Sequence, residues 1–206
     1  MSKKKPNKQW VQSQNKDYFV KQARQSHYRS RAVYKLQEID QKDKLFKPGI
    51  CVVDLGSAPG SWSQYASEHI GANGRVIAVD ILSMEPIEKV KFVLGDFTDE
   101  HIENQCIDHI GEQGADLVIS DMAPNLTGIR ATDQARSMAL AELVYEFCHN
   151  ALKPGGDLLI KLFEGAGTSE FRQLLKEHFA KVVTRKPSAS RDNSREFYVL
   201  ARSYGL

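Results

Sequence analysis

The stretch ICVVDLGSAPGSWSQY (50–65) runs from an apolar segment through a glycine turn into residues without further turn signals. A short apolar run bounded by turn residues reads as a buried strand, and the residues after Gly60 read as a helix. Strand, glycine turn and helix in this order are the layout of a nucleotide-binding loop. In an open α/β sheet such ligands sit at the carboxyl ends of the strands. The spacing, however, is not G-x-G-x-x-G. Gly56 and Gly60 let the backbone turn tightly and pass close to a ligand, and Pro59 stiffens the turn. A pyrophosphate site wants a third glycine and a bare helix N-terminus. This turn suits a carboxylate-bearing ligand without phosphates.

Outward from the turn, strand and helix patterns alternate. RVIAVDI (75–81), KFVLGDF (91–97), ADLVISDM (115–122), GDLLIKLF (156–163), KVVTRK (181–186) and REFYVLAR (195–202) read as strands. Helical stretches fall at 61–70, 99–110, 132–151 and 168–178. The alternation predicts an α/β fold, a doubly wound sheet of seven mostly parallel strands. The last two strands are joined by PSASRDNS (187–194), too short for a crossover helix, so the last strand is expected to run antiparallel. FKPG (46–49) is a turn. Residues 15–41 read as one or two helices, with Ser30 as N-cap of RAVYKLQEIDQ and Ala32, Leu36 and Ile39 on one face. The expected organisation is a disordered basic tail (1–14) and a single domain (15–206). That domain divides into a basic helical extension (15–47) and a catalytic core (48–206).

Composition narrows the setting. The chain has 206 residues and a net charge of +2, enough length for one domain with a real core. Residues 1–47 carry 13 Lys and Arg against 4 Asp and Glu, a net of +9, which leaves −7 on the remainder. A basic arm on an acidic body points to a polyanionic partner. No apolar run approaches a membrane span, and the N-terminus lacks the apolar stretch of a secretory signal. A cytoplasmic protein without membrane association is expected. Cys51, Cys106 and Cys148 show no metal or CxxC spacing and read as buried reduced thiols; no metal is expected.

Two acids extend the reading of the glycine turn. Asp80 ends the second strand, where a carboxylate can take both hydroxyls of a ribose. Asp96 ends the third, where a carboxylate can accept from an exocyclic adenine amine. The turn with Asp80 and Asp96 describes an adenosine site without phosphates, which fits S-adenosyl-L-methionine. Trp62 reads either as a neighbour of that cofactor or as a core residue.

Methyl transfer to pyrimidine C5 needs a Cys nucleophile at a strand end, and none falls there. Transfer to a base amine relies on an aromatic residue after the fourth strand, where this chain reads Asp121-Met122-Ala123-Pro124-Asn125. A hydroxyl acceptor remains. Lys161 lies inside the apolar strand LIKLFEG (159–165), a costly place unless it is paired. An amine so placed can accept or steer a hydroxyl proton, or it forms a buried salt bridge with Asp121 or Glu196. Asp121 alone also suits a turn or cap.

RSRAVYKL (29–36), DLGSAPGSWSQY (54–65), SDMAPN (120–125), LIKLFEG (159–165) and SREFYVLA (194–201) together resemble the RrmJ/FtsJ-type ribosomal RNA 2'-O-methyltransferases, a family also called large-subunit methyltransferase E. The resemblance implies a Rossmann-like S-adenosylmethionine-dependent methyltransferase fold. It also implies a catalytic set at Lys35, Asp121, Lys161 and Glu196, and cofactor contacts at Gly60, Trp62, Asp80, Asp96 and Asp121. Where the family usually has Pro-Gly-Gly-Trp, this chain has Pro59-Gly60-Ser61-Trp62. The implied reaction is methylation of a uridine 2'-hydroxyl in the A loop of 23S ribosomal RNA, within the large subunit, by a monomer. Arg24, Arg29 and Arg31 would hold phosphates while Lys35 reaches the site. The same core could serve transfer RNA or another RNA, or a non-catalytic ribosome assembly factor.

Overall fold

A computed structural model describes residues 18–125, 127–191 and 194–205. The basic tail expected at 1–14 lies outside the described residues, as does the side chain of Arg24. Two helices lead, α1 (Tyr18–Gln25) and α2 (Val33–Asp43). The alternating part follows: β1 (Cys51–Leu55), α3 (Ser61–His69), β2 (Arg75–Asp80), β3 (Val90–Leu94), α4 (Glu100–Ile110), β4 (Ala115–Ser120), α5 (Arg130–Ala151), β5 (Leu152–Phe163), α6 (Thr168–His178), β6 (Phe179–Arg185) and β7 (Glu196–Tyr204).

The seven strands form one sheet in the order β3-β2-β1-β4-β5-β7-β6. β1 pairs parallel with both β2 and β4, which makes the end of β1 the point where the strand order reverses. That crevice is where an α/β sheet receives a ligand. β7 pairs antiparallel with β5 and with β6, so it alone is reversed, as the short connection predicts. β1 is buried along its whole length, and its near-continuous apolar sequence reflects helices on both faces.

One core lies between the sheet and α4, α5 and α6, with Val53, Leu55, Val118, Phe147, Leu158 and Phe171 among its residues. The second lies on the opposite face, where Val33, Leu36 and Ile39 of α2 pack with Trp62, Tyr65 and Tyr198. The N-terminal helices therefore complete the sheet's second layer. Cys51, Cys106 and Cys148 are buried free thiols. Among the described residues, no helix is long and apolar enough to cross a membrane.

Several element ends differ from the sequence reading, among them those of β3, β5 and α2. β3 stops at Leu94: Gly95 donates its N–H to the Asp80 carbonyl at 2.9 Å as the last bond of the β2–β3 ladder, and the chain then turns where Asp96 accepts the N–H groups of Thr98 and Asp99, each at 3.0 Å. β5 begins at Leu152, since Leu152 pairs with Ala115 and a register shift then absorbs the glycines before Asp157 meets Leu117. α2 begins at Val33. The Ser30 hydroxyl accepts the Ala32 N–H at 3.2 Å and so caps the preceding turn, not the helix.

Candidate active site

The chain leaves β1 through Gly56, at φ +74°, and enters α3 through Gly60, at φ +100°. A Cβ at Gly56 would meet Met122 Cγ at 1.9 Å, so the turn needs a glycine for space as well as conformation. Asp80 holds the turn from below: its two carboxylate oxygens accept the N–H groups of Ala58 and Leu82, each at 2.8 Å. Asp96 stands two residues past the end of β3 and accepts from the backbone and hydroxyl of Thr98. Both acids line a cavity of about 660 Å³ beside Gly56, Phe97 and Asp121.

Trp62 is buried, with its indole N–H donated to the Ala32 carbonyl at 2.8 Å. It also lines a small recess beneath the turn, with Asp54 and Asp121. Trp62 is thus a core residue, and it does not line the cavity of about 660 Å³ that Asp80 and Asp96 share. Ser61, where the family has glycine, shares a 2.7 Å hydrogen bond with the Ser30 hydroxyl. The substitution thus ties α3 to the N-terminal arm.

The polar cluster lies next to the cavity and shares Asp121 with it. Lys161 on β5 sits 3.0 Å from Asp121 Oδ1 and also donates to the Asp121 carbonyl oxygen. Lys35 on α2 reaches Glu196 Oε1 at 2.6 Å and Asp121 Oδ1 at 3.9 Å. Four side chains from four separate elements meet on the glycine-turn side of the sheet. Those of Lys35 and Glu196 are each 12 % exposed and that of Lys161 is 8 %. Charges so nearly buried are tolerable only as a hydrogen-bonded set. Burial raises the Glu196 carboxyl, but the hydrogen bond and charge of Lys35, with smaller contributions from Ser190 and Lys161, together outweigh it and hold the group below its usual range.

Two residues of the site carried no mark in the sequence. Tyr198, fully buried on β7, donates its hydroxyl to Asp121 Oδ1 at 2.5 Å. Burial, and then the Asp121 carboxylate, push its phenol well above its ordinary value, so it remains a donor. Its ring also carries the Lys35 ammonium at 5.8 Å from the centroid. Asp54, only 1 % exposed, takes a 2.5 Å hydrogen bond from Ser63. Desolvation pushes its carboxyl up to about 7. The arginines of the arm also differ from expectation. The Arg29 guanidinium donates to three backbone carbonyls, and Arg31 donates to the Ala189 carbonyl at 2.5 Å.

Residues 28–204 match the FtsJ-like methyltransferase family. The chain belongs to that family. It is 50 % identical over 206 residues, all of both chains, to ribosomal RNA large subunit methyltransferase E of Legionella pneumophila strain Corby. It is equally 50 % identical over 204 residues, 99 % of each chain, to the protein of that name from Pseudomonas paraeruginosa. The crystal structure of a Plasmodium falciparum protein assigned as a ribosomal RNA methyltransferase superposes with a TM-score of 0.77. It is 28 % identical and covers 86 % of this chain and 99 % of its own. A Burkholderia thailandensis N1-methyltransferase bound to S-adenosylhomocysteine shares the fold at 17 % identity, with a TM-score of 0.55 and coverage of 99 % and 93 %.

The cavity fits the methyl donor of an FtsJ-like enzyme. Its acids suit hydroxyl and amine donors and would repel phosphates, while Phe97, Leu140 and Met122 offer apolar surface to a purine.

Proposed function

We propose that this FtsJ-like methyltransferase methylates a uridine ribose 2'-hydroxyl in the A loop of 23S ribosomal RNA, presented by the large subunit. The observation that carries the reading is the convergence of Lys35, Asp121, Lys161 and Glu196 beside the cavity. Full-length identity to large subunit methyltransferase E supports ribosomal RNA as the substrate class. The 2'-hydroxyl also tells RNA from DNA.

Asp80, Asp96 and the glycine turn would hold S-adenosylmethionine, which would supply an electrophilic methyl group on a sulfonium. Lys161 orients the ribose hydroxyl, and in its neutral form its amine receives the proton as the oxygen–carbon bond forms and the methyl group leaves its carrier. Asp121 fixes Lys161 through both its side chain and its carbonyl. Lys35 and Glu196 neutralise one another and frame the ribose. Because the transfer is a direct displacement, alignment of hydroxyl and methyl supplies much of the acceleration.

The test is transfer of labelled methyl from S-adenosylmethionine to ribosomal subunits that lack A-loop methylation, with the product nucleotide mapped by mass spectrometry. One 2'-O-methyluridine in the A loop is expected. A methylated base, or label confined to transfer RNA, would refute the proposal.

A further inference from the structure

The basic arm reads in sequence as a set of phosphate ligands, yet Arg29 faces the other way. Its Nη1 donates to the carbonyls of Pro59 at 3.2 Å and Glu85 at 2.6 Å, and its Nη2 to that of Pro86 at 2.9 Å. Pro59 belongs to the glycine turn, and Glu85 and Pro86 belong to the segment between β2 and β3. That segment follows Asp80 directly, and its first residues, Ile81 and Leu82, form part of the cavity wall. Ile81, Leu82, Glu85 and Pro86 are all exposed. The segment has little burial of its own to hold it. Above Gly60 the packing is tight. A Cβ there would lie 2.9 Å from both Met84 Sδ and Ile87 Cδ1, and 3.0 Å from Arg29 Nη1.

The residues flanking Arg29 are committed to the same neighbour. The His27 carbonyl accepts from Gln64, Tyr28 donates to Glu68, Ser30 bonds Ser61, and the Ala32 carbonyl accepts from Trp62. Every one of these partners lies on α3, the helix that the glycine turn opens. Lys35 stands three residues beyond this strap, on the first turn of α2.

We propose that Arg29 is a positioning residue of the methyl-donor site. It brackets the glycine turn to the β2–β3 segment, and it does not bind RNA phosphate. The inference rests on the cofactor lying in the cavity beside Gly56. Only a planar fork of donors can reach three carbonyls from two loops, so charge alone does not replace it. A phosphate contact, in contrast, tolerates lysine as a point charge.

Arg29→Lys and Arg29→Ala separate the two roles. S-adenosylhomocysteine affinity is measured by titration calorimetry, and affinity for A-loop RNA is measured across a salt series. Thermal melts confirm that each variant is folded, and Arg29→Lys decides the matter if Arg29→Ala is not. The expected result is a tenfold or greater rise in the dissociation constant of S-adenosylhomocysteine for both variants, with no rescue by lysine. The slope of log affinity against log salt stays at the wild-type value. Wild-type cofactor affinity in Arg29→Lys would overturn the proposal. So would a fall in the salt slope of about 0.7 to 0.9 in Arg29→Ala, the signature of one lost phosphate contact. If the wild-type protein itself fails to bind S-adenosylhomocysteine, the placement of the cofactor is wrong instead.

Discussion

The two halves of the proposed active site are built in opposite ways. The methyl-donor half is mostly local: a turn of five residues, held by the Asp80 carboxylate at the end of the adjacent strand β2. The acceptor half is assembled across the fold, from α2, the end of β4, β5 and β7. Backbone conformation maintains the first, and mutual neutralisation of buried charge maintains the second. Injury to the donor half should act through cofactor affinity, and injury to the acceptor half through the rate of the chemical step. Asp121 belongs to both, since it lines the cavity and pairs with Lys161.

Asp121→Ala should therefore have the largest effect and should erase the distinction. It removes the carboxylate shared by Lys161, Lys35 and Tyr198. Stripping one partner from such a buried pair costs about 3–5 kcal/mol. The expected outcome is undetectable methyl transfer together with a lowered melting temperature, read by labelled-methyl assay and thermal denaturation.

Gly56→Ala tests the donor half alone. Its positive φ and the 1.9 Å approach of Met122 force the turn or Met122 to move. The strain of a non-glycine residue at positive φ is on the order of 1–3 kcal/mol. A loss of cofactor affinity of about tenfold or more is expected, with the transfer rate largely recovered at saturating cofactor. A rate defect that saturation does not relieve would mean the two halves are not separable in this way.

Tyr198→Phe sharpens the acceptor half. It removes one hydroxyl and leaves the ring against Trp62 and Lys35. A hydrogen bond to a charged group contributes about 1.5–3 kcal/mol. The single-turnover rate should fall roughly tenfold to a hundredfold by that measure, while cofactor affinity holds. Equal loss in both quantities would assign Tyr198 to general packing.

A pH dependence of stability rests on Asp54. Its folded carboxyl titrates near 7, against an ordinary value of 3.8, so the native state holds its proton more tightly than the unfolded chain. That favourable contribution is complete below about pH 4 and is lost as the pH rises through 7. Asp54→Asn should remove the dependence. Relative to the parent, the variant should gain on the order of 2–4 kcal/mol between pH 4 and 8, measured by denaturant unfolding of cofactor-free protein. Parallel pH profiles for the two proteins would show that Asp54 is ionised in the native state.

The sheet was legible because buried parallel strands read as continuous apolar runs with helical patterns between them. The reversed last strand was legible from the length of one loop. The end of β3 and the start of β5 were not, because Asp96 turns the chain by accepting the N–H groups of Thr98 and Asp99, and a register shift absorbs the glycines before Asp157. At the site, Lys161 announced itself as a cation in an apolar strand. Tyr198 did not, since an aromatic residue inside a strand looks the same whether or not its hydroxyl finds an acid. The partners of Arg29 were hidden for a related reason. Its partners are backbone carbonyls, which every residue has, whereas its charge is visible at once.

The central claim is that the Lys161 amine acts on the ribose hydroxyl and not on the cofactor. The direct measurement is the single-turnover rate of methyl transfer to A-loop RNA by Lys161→Met, with cofactor and RNA both saturating. The account predicts a loss of about 100- to 10,000-fold with unchanged affinity for S-adenosylhomocysteine. A wild-type rate at unchanged affinity would contradict it.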